Sequence, residues 1–327
     1  MQRGEARLAA MNIGLPERAA RFRADLGALA GPSPARFGVA VSGGPDSLAL
    51  LLLAAAAFPG GVEAATVDHG LRPESAAEAA FVHDLCGARG LAHATLTGPP
   101  VTGNVQAGAR SLRYALLGSW ARKRGLAFLL TAHHQDDQAE TLLMRLQRGA
   151  GLAGLAGIRP RAELEGLLVL RPLLGWRRVE LADIVAEAGL TPVEDPANVD
   201  DRYDRARLRK RLAETDWLDA PALARSAGAL GEAEEALDWI VEQLIADRTE
   251  ATSGGLSFDA ASLPAELRRR ALVRLLALLV PAAPPRGEEV GRLLAVLEAG
   301  GTATLAGVKC DGGAVWRLSP APPRRAP

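Results

Sequence analysis

Lysine is nearly missing from this chain. It occurs only at Lys123, Lys210 and Lys309, so the basic side chains are almost all arginine. A GC-rich genome accounts for that bias, and no functional meaning is attached to it. Cysteine is as scarce, at Cys86 and Cys310 alone. With no C-x-x-C, a thiolate metal site and a redox pair of the usual spacing are excluded, and two lone cysteines fit a reducing, cytoplasmic setting. Net charge is missing too: 38 basic residues meet 38 acidic ones. Bulk attraction to nucleic acid is thereby excluded, and any basic surface must be local. Long apolar runs are absent. Leu48–Phe58 is too short to span a bilayer, and Ala271–Val280 is shorter still and interrupted by Arg274. Met1–Leu29 carries charges throughout, so it is not read as a signal peptide, and no membrane partner is expected. The nucleotide motifs G-x-x-x-x-G-K-S/T and G-x-G-x-x-G do not occur. There is no internal repeat.

The stretch around which the rest is arranged is Val39-Ala40-Val41-Ser42-Gly43-Gly44-Pro45-Asp46-Ser47. An apolar run enters a small-residue loop, and a second apolar run of helical composition leaves it. This predicts strand, phosphate-binding turn and helix. The glycines allow close backbone approach to an anion, and Pro45 suits the first helical turn. The helix N-terminus offers N–H groups and a positive dipole end. Ser42 and Ser47 add hydroxyls. Asp46 is out of place beside phosphates unless a cation intervenes, and Mg²⁺ is the natural one. Taken alone, a purely structural Gly-Gly turn remains open.

At 327 residues, with 48% hydrophobic and 23% charged side chains, the chain suffices for two domains. Glu17–Ala30 has helical periodicity within a Met1–Pro34 segment. Strands are predicted at Gly38–Ser42, Val62–Val67, Leu91–Leu96 and Ala127–Thr131. Helices are predicted at Leu48–Ala57, Ser75–Arg89 (Ser75 and Glu78 in capping-box spacing), Asn104–Arg124 and Asp136–Arg148. The alternation implies an α/β fold with a parallel sheet and helices on both faces. The loop at Ser42, the pair Asp68-His69 and the pair His133-His134 then share the rim at the strands' carboxyl ends, where such sheets bind ligands. Leu167–Leu174 is a candidate fifth strand, placed at an edge by Arg171-Pro172. Helices follow at Arg177–Ala188 and Asp201–Leu212. A boundary near Asp216 gives domains 1–216 and 217–318, with a disordered tail at 319–327. The second domain is smaller and mainly helical, at Ala220–Asp247, Pro264–Val280 and Gly287–Glu298. It ends in a β-hairpin at Thr302–Leu318 around Asp311-Gly312-Gly313.

Four constellations carry chemistry. Asp68-His69-Gly70-Leu71-Arg72 with Glu74-Ser75 suits a base or ribose, or is a polar loop. Arg110 and Arg113 are three apart on one helical face, near Asn104 and Gln106, and suit phosphate oxygens or solvent. Thr131-Ala132-His133-His134-Gln135-Asp136-Asp137-Gln138-Ala139-Glu140-Thr141 is the most informative. Ala139, Leu142, Leu143 and Leu146 form its buried stripe, with Asp136, Asp137 and Glu140 off it and Asp136 as a candidate N-cap. A transition-metal site on the histidine pair is not expected, since adjacent imidazoles point apart. Last, Leu170-Arg171-Pro172 with Glu194-Asp195 and Asn198 precedes Arg205-Ala206-Arg207-Leu208-Arg209-Lys210-Arg211. That run is a local phosphate-backbone footprint or a salt-bridged surface helix with Asp200, Asp201 and Asp204.

Together, in order and spacing, these motifs resemble the tRNA(Ile)-lysidine synthases, members of the PP-loop (N-type ATP pyrophosphatase) class. The resemblance is strong over Val39–Arg211, and the string from His133 to Thr141 is its most specific part. One departure is Ala206, where the family usually has an amide. A longer C-terminal extension found in some members is absent or reduced. The resemblance implies an adenine-nucleotide α-hydrolase-like, Rossmann-like fold. It implies ATP as co-substrate with Mg²⁺, and joining of L-lysine to C2 of the wobble cytidine of tRNA(Ile) with a CAU anticodon. An adenylated cytidine is the intermediate and pyrophosphate and AMP are released. The codon read changes from AUG to AUA. It assigns phosphate holding to Ser42, Gly43, Gly44, Pro45 and Ser47, and metal to Asp46. Arg113 is assigned to charge on the α-phosphate or the base oxygen, and His133 to base or AMP. Asp137 or Glu140 takes the lysine ammonium or its proton, and Arg205, Arg207 and Arg209 hold tRNA. The second domain is assigned to tRNA recognition. Oligomeric state is left open, a homodimer included. A tRNA 2-thiocytidine synthetase would want paired cysteines or an iron–sulfur cluster. A non-catalytic ATP-binding, tRNA-binding protein would bind ATP without releasing pyrophosphate.

Overall fold

The computed structural model describes residues 15–31, 36–68, 70, 74–99, 105–193, 204–281 and 285–321. His69, Leu71, Arg72, Asn104, Glu194–Asn198, Asp200, Asp201 and the tail beyond residue 321, all singled out above, lie outside them. The chain divides into two compact units between Gly231 and Glu232; composition alone places the boundary near Asp216.

In the first unit, helix α1 (Leu15–Ala30) precedes strand β1 (Phe37–Ala40) and helix α2 (Pro45–Ala57). Then come β2 (Val62–Asp68), α3 (Glu74–Ala88), β3 (Ala92–Thr97), α4 (Val105–Arg124), β4 (Leu129–Leu130) and α5 (Gln135–Gln147). A short α6 (Leu152–Leu155), β5 (Arg161–Leu164), β6 (Leu167–Leu170), α7 (Arg178–Glu187) and α8 (Asp204–Ala213) complete the sequence up to α9 (Ala220–Arg248). The sheet order is β3-β2-β1-β4-β6-β5. Five strands run parallel, and β5 alone is antiparallel, paired with β6.

Alternation within the strands feeds two cores. Phe37 and Val39 face one side, where Phe22, Leu26, Leu48, Leu51, Trp176 and Ile184 pack from α1, α2 and the α7 region. Ala40, Ala65 and Leu129 face the other, against Tyr114, Leu117 and Trp120 of α4. Gly38 is required here, because a Cβ on it would stand 2.7 Å from the Trp120 ring. Helix α2 is apolar on all sides from Leu48 to Ala54, where every residue is buried.

The fifth parallel strand differs from its expectation. β6 stops at Leu170, so Arg171 and Pro172 lie beyond it, and it is interior, between β4 and β5. Pro172 therefore removes no ladder bond. The extra strand β5 pairs through a two-residue turn, Glu165-Gly166, with φ of 51° and 67°. Both positive angles mark a type I′ turn, whose twist suits a hairpin.

The second unit contains β7 (Thr249–Thr252), β8 (Gly255–Asp259), α10 (Ala265–Leu279), α11 (Gly287–Glu298), β9 (Thr302–Leu305), β10 (Val308–Asp311) and β11 (Val315–Pro320). The terminal hairpin is thus part of a five-stranded antiparallel sheet, ordered β7-β8-β11-β10-β9. Phe258, Trp316, Leu318 and Cys310 pack from it against Leu272, Leu275, Leu276, Leu293 and Leu297 of the two helices. Arg270 is buried with Glu234, to which it donates from Nη1 at 2.9 Å, and it also reaches Asp238 and Glu266.

Candidate active site

The site is built on the carboxyl rim of the parallel sheet. β1 runs into Val41–Gly44, β4 into Thr131–His134 and β6 into Arg171. Ligands of open α/β sheets bind at this rim.

The loop after β1 is closed by its own serines. The Ser42 amide donates to Ser47 Oγ at 3.1 Å, and Ser47 Oγ donates to the Gly44 carbonyl at 3.0 Å. Gly43 has φ of +87°, and a Cβ there would stand 3.1 Å from Val193, whose amide donates to the Gly43 carbonyl. A side chain would be strained at that angle and crowded as well. Gly44 is the N-cap of α2, with no side chain capping the helix and with Pro45 in its first turn. Its leading N–H groups are therefore not taken by a side-chain cap, as an anion site needs.

The second wall is the start of α5. Asp136 was the expected N-cap, but His134 holds that place. The Asp137 amide donates to His134 Nδ1 at 3.4 Å, and the His134 amide donates to Asp137 Oδ2 at 3.1 Å. This is a capping box made with an imidazole in place of a hydroxyl. Asp136 instead accepts the Arg178 amide at 2.8 Å and faces Arg177, which anchors the start of α7. Gln138 accepts the Ile158 amide at 2.6 Å and donates to the Ile158 carbonyl at 2.9 Å. Leu146, expected in the buried stripe, is 57% exposed. α5 ends at Gln147, and its last turn is outside the core.

His134 joins the two walls. Its Nε2 lies 3.4 Å from Asp46 Oδ2 and 3.5 Å from Asp137 Oδ2, and its side chain is 1% exposed. Burial works against a charge on this ring, but Asp46 and Asp137 outweigh it and hold its pKa above the ordinary value. Burial also opposes charge on Asp137, yet His134, Arg205, His133 and the His134 amide keep it ionised below the usual carboxylate range. On Asp136, burial is overcome by the Arg178 amide and Arg177, again lowering its pKa. His133 behaves oppositely. Burial drives its pKa down to about 4, against Asp137 and with Arg171, Arg110 and Arg205. It is a neutral ring at pH 7, with Nδ1 3.1 Å from Thr131 Oγ1.

Glu140 is almost fully buried. Arg209 grips it through Nε at 2.8 Å and Nη2 at 3.2 Å, Arg205 Nε lies 3.1 Å away and Arg178 3.6 Å. Arg205 also donates to Thr141 Oγ1 at 3.0 Å. Two of the three arginines expected to meet RNA thus face inward. Burial disfavours the charge of Arg209, but Glu140, Asp137 and Asp46 together raise its pKa. Arg207 faces Asp204 on the exposed side of α8, and Ala206 is buried at the helix's inner face. Arg113 stands exposed on α4, and Arg110 lies over the Tyr114 ring at 5.2 Å. Asp68 ends β2 and accepts the Gly70 amide at 2.9 Å.

Sequence reasoning singled out neither Arg177 and Arg178 nor the bridging role of His134. Glu180, three residues after Arg177, carries half of a capping-box signal, but the usual Ser or Thr is absent.

Asp46 Oδ1 is buried and accepts no hydrogen bond. A carboxyl oxygen left this way suits a hard cation, and magnesium takes one or two carboxylates together with phosphates. Among the described residues no group of three or more His, Cys, Asp or Glu is arranged to hold a metal by itself, and no helix is long and apolar enough to cross a membrane.

Residues 18–215 match the family described as the PP-loop domain. A tRNA(Ile)-lysidine synthase of Novosphingobium aromaticivorans is 51% identical over 313 residues, covering 94% of this chain and 95% of that protein. A tRNA(Ile)-lysidine synthase of Zymomonas mobilis is 44% identical over 319 residues, covering 95% and 96%. Among solved structures, a U34-tRNA thiolase of Methanococcus maripaludis, carrying an iron–sulfur cluster, superimposes with a TM-score of 0.54. At 18% identity it covers 66% of this chain and 78% of that one, and the likeness is one of fold.

Proposed function

Because the chain belongs to the tRNA(Ile)-lysidine synthase family, we propose that the rim from Ser42 to Ser47 and from His133 to Glu140 carries the family's reaction in two steps. The chain is a ligase that uses ATP to convert the wobble cytidine of tRNA(Ile) to lysidine. One observation supports the site assignment above the rest. Asp46 and Asp137 come from separate segments, yet both lie within 3.5 Å of one nitrogen of His134. The phosphate loop and the acidic helix start thus form a single site.

In the first step the cytidine O2 attacks the α-phosphorus and pyrophosphate leaves. The uncapped start of α2, with Ser42, Gly43, Gly44 and Ser47, holds the β- and γ-phosphates. Asp46 would hold Mg²⁺, whose charge would offset that of the phosphates. Arg113 meets the charge that develops on the α-phosphate or the base oxygen, where preorganised donors act most strongly. His133, being neutral, offers a hydrogen-bonding ring to base or AMP without adding charge.

In the second step the lysine ε-amine forms a bond to C2 and AMP departs. Asp137 is ionised at neutral pH and suits the incoming ammonium. Glu140 is occupied by Arg209 and Arg205, so Asp137 is the better placed carboxylate for the proton. Arg205 and Arg209 line the chamber, and Arg207, on the outer face of α8, meets the RNA backbone. Residues 217–318 supply tRNA recognition. The cytoplasm is the setting, and both thiols are reduced and buried. Burial pushes Cys86 and Cys310 up to about 11, which makes them poor sulfur carriers.

The test measures AMP and pyrophosphate release from ATP with Mg²⁺, with and without lysine and a CAU-anticodon isoleucine tRNA transcript, and then the mass of the RNA. A lysine adduct at the wobble cytidine that needs both substrates is expected. Pyrophosphate release without an adduct would move the acceptor elsewhere, and binding without release would make the site non-catalytic.

A further inference from the structure

Arg171 has a role the mechanism above leaves unused. It is only 5% exposed. Its Nη1 donates to the Arg159 carbonyl at 2.6 Å, and the Tyr114 hydroxyl lies beside it. Its Nε is buried with no partner. Among the described residues no carboxylate pairs with it. An arginine stays protonated in proteins, and a buried charge met only by neutral acceptors is costly. Among the described residues no group of opposite sign meets it.

The fold says where that group would sit. Leu170, the last residue of β6, pairs with Leu130 of β4, and the Thr131 amide donates to the Leu170 carbonyl at 3.1 Å. Arg171 therefore leaves the sheet beside Thr131–His133, on the ligand-bearing rim. Arg110 approaches from α4, its guanidinium over the ring of Tyr114, the tyrosine beside Arg171. Arg171, Arg110 and Arg205 all disfavour a proton on His133. The acidic side of the rim, Asp46 and Asp137, lies at His134.

We propose that Arg171 and Arg110, arranged by Tyr114, form a phosphate-binding wall of the reaction rim on its His133 side. Arg171 is the fixed member, and its planar fork suits two oxygens of one phosphate. Arg110 is the exposed member through which the anion enters. Two substrate phosphates have this chemistry: a backbone phosphate of the tRNA beside the target cytidine, and the α-phosphate of ATP. The proposal rests on the rim being the nucleotide and RNA site.

The experiment uses the full chain, Arg110→Ala and Arg171→Lys. Lysidine formation by the unaltered chain is measured first; its absence would sink the functional reading and not this one. Thermal unfolding then establishes that each variant is folded, and Arg110→Ala decides the matter if Arg171→Lys is not. Affinity for the tRNA transcript is read across salt concentrations, and ATP affinity by equilibrium dialysis. If the anion is RNA, Arg110→Ala lowers the slope of log affinity against log salt by about 0.7, the value for one single-stranded phosphate. If it is the nucleotide, ATP binds about tenfold more weakly, as loss of a charge-assisted hydrogen bond implies, and the slope holds. Arg171→Lys, which keeps the charge and loses the fork, weakens binding of the same ligand and leaves the salt slope in place. Folded variants that leave tRNA affinity, its salt slope and ATP affinity all within twofold of the unaltered chain would overturn the proposal. So would a rise in the lysine KM alone, which would assign the wall to a carboxylate.

Discussion

Replacing Glu140 with Gln tests whether the buried carboxylate holds α8 against the site. The substitution keeps shape and removes one charge. It leaves Arg209, Arg205 and Arg178 facing an amide, one end of which is itself a donor. Breaking a buried ion pair from one side costs about 3–5 kcal/mol. The three guanidinium side chains are 27%, 44% and 34% exposed, so water recovers part of that loss. The expected cost is therefore about 2–3 kcal/mol. For a unit of this size each kcal/mol lowers Tm by about 2–4 °C, which gives a fall of about 4–12 °C. The assay is thermal unfolding followed by fluorescence of the buried Trp176, beside lysidine formation at a temperature where the variant is folded. Activity should fall as well, because Arg205 and Arg209 lose the group that aims them. A Tm within about 1 °C of the unaltered chain, with activity retained, would refute the clamp; such a shift is too small for any buried pair.

Asp137→Asn should abolish lysine transfer with the fold intact, because the amide oxygen still accepts from the His134 amide; near-normal turnover would remove Asp137 from the chemistry. Asp136 has a depressed pKa, so its contribution to stability is present above the ordinary value of 3.8 and is lost as pH falls through the lower folded value. Urea unfolding of Asp136→Asn should therefore show a deficit at pH 7 that shrinks as the pH falls below 3.8. In the second unit, Arg270→Met should destabilise by about 3–5 kcal/mol by leaving Glu234 buried and uncompensated, measured by denaturant unfolding.

The parallel sheet and its rim were legible because each strand is a short apolar run ending in polar residues. The rest was hidden for physical reasons. β5 is four residues with alternating charge, Arg161-Ala162-Glu163-Leu164, and its turn is Glu-Gly instead of the stronger Asn-Gly or Asp-Gly. Ala306-Gly307 hides another such turn, with φ of 50° and 79°. Pro172 misdirected the placement of β6, since one residue separates a proline within a strand from one just beyond it. At the site, residue types revealed which segments matter and not which way each side chain turns. Glu140 lies off the apolar stripe, as its spacing says. It is nonetheless buried, because arginines arriving more than sixty positions later cover it. No local pattern encodes that.

The first turn of α5 ties down more than itself. The amides of Asp137, Ile158 and Arg178 donate to side chains at positions 134, 138 and 136. These amides belong to three different stretches of chain, yet their acceptors occupy one span of five residues. If that turn frays, all three lose their acceptors at once. They should exchange with solvent deuterium as a single cooperative unit, with a common opening free energy. The loop entering β5, the start of α7 and the acidic wall of the site then share one local stability, and a substrate that orders any one of them slows exchange in the other two.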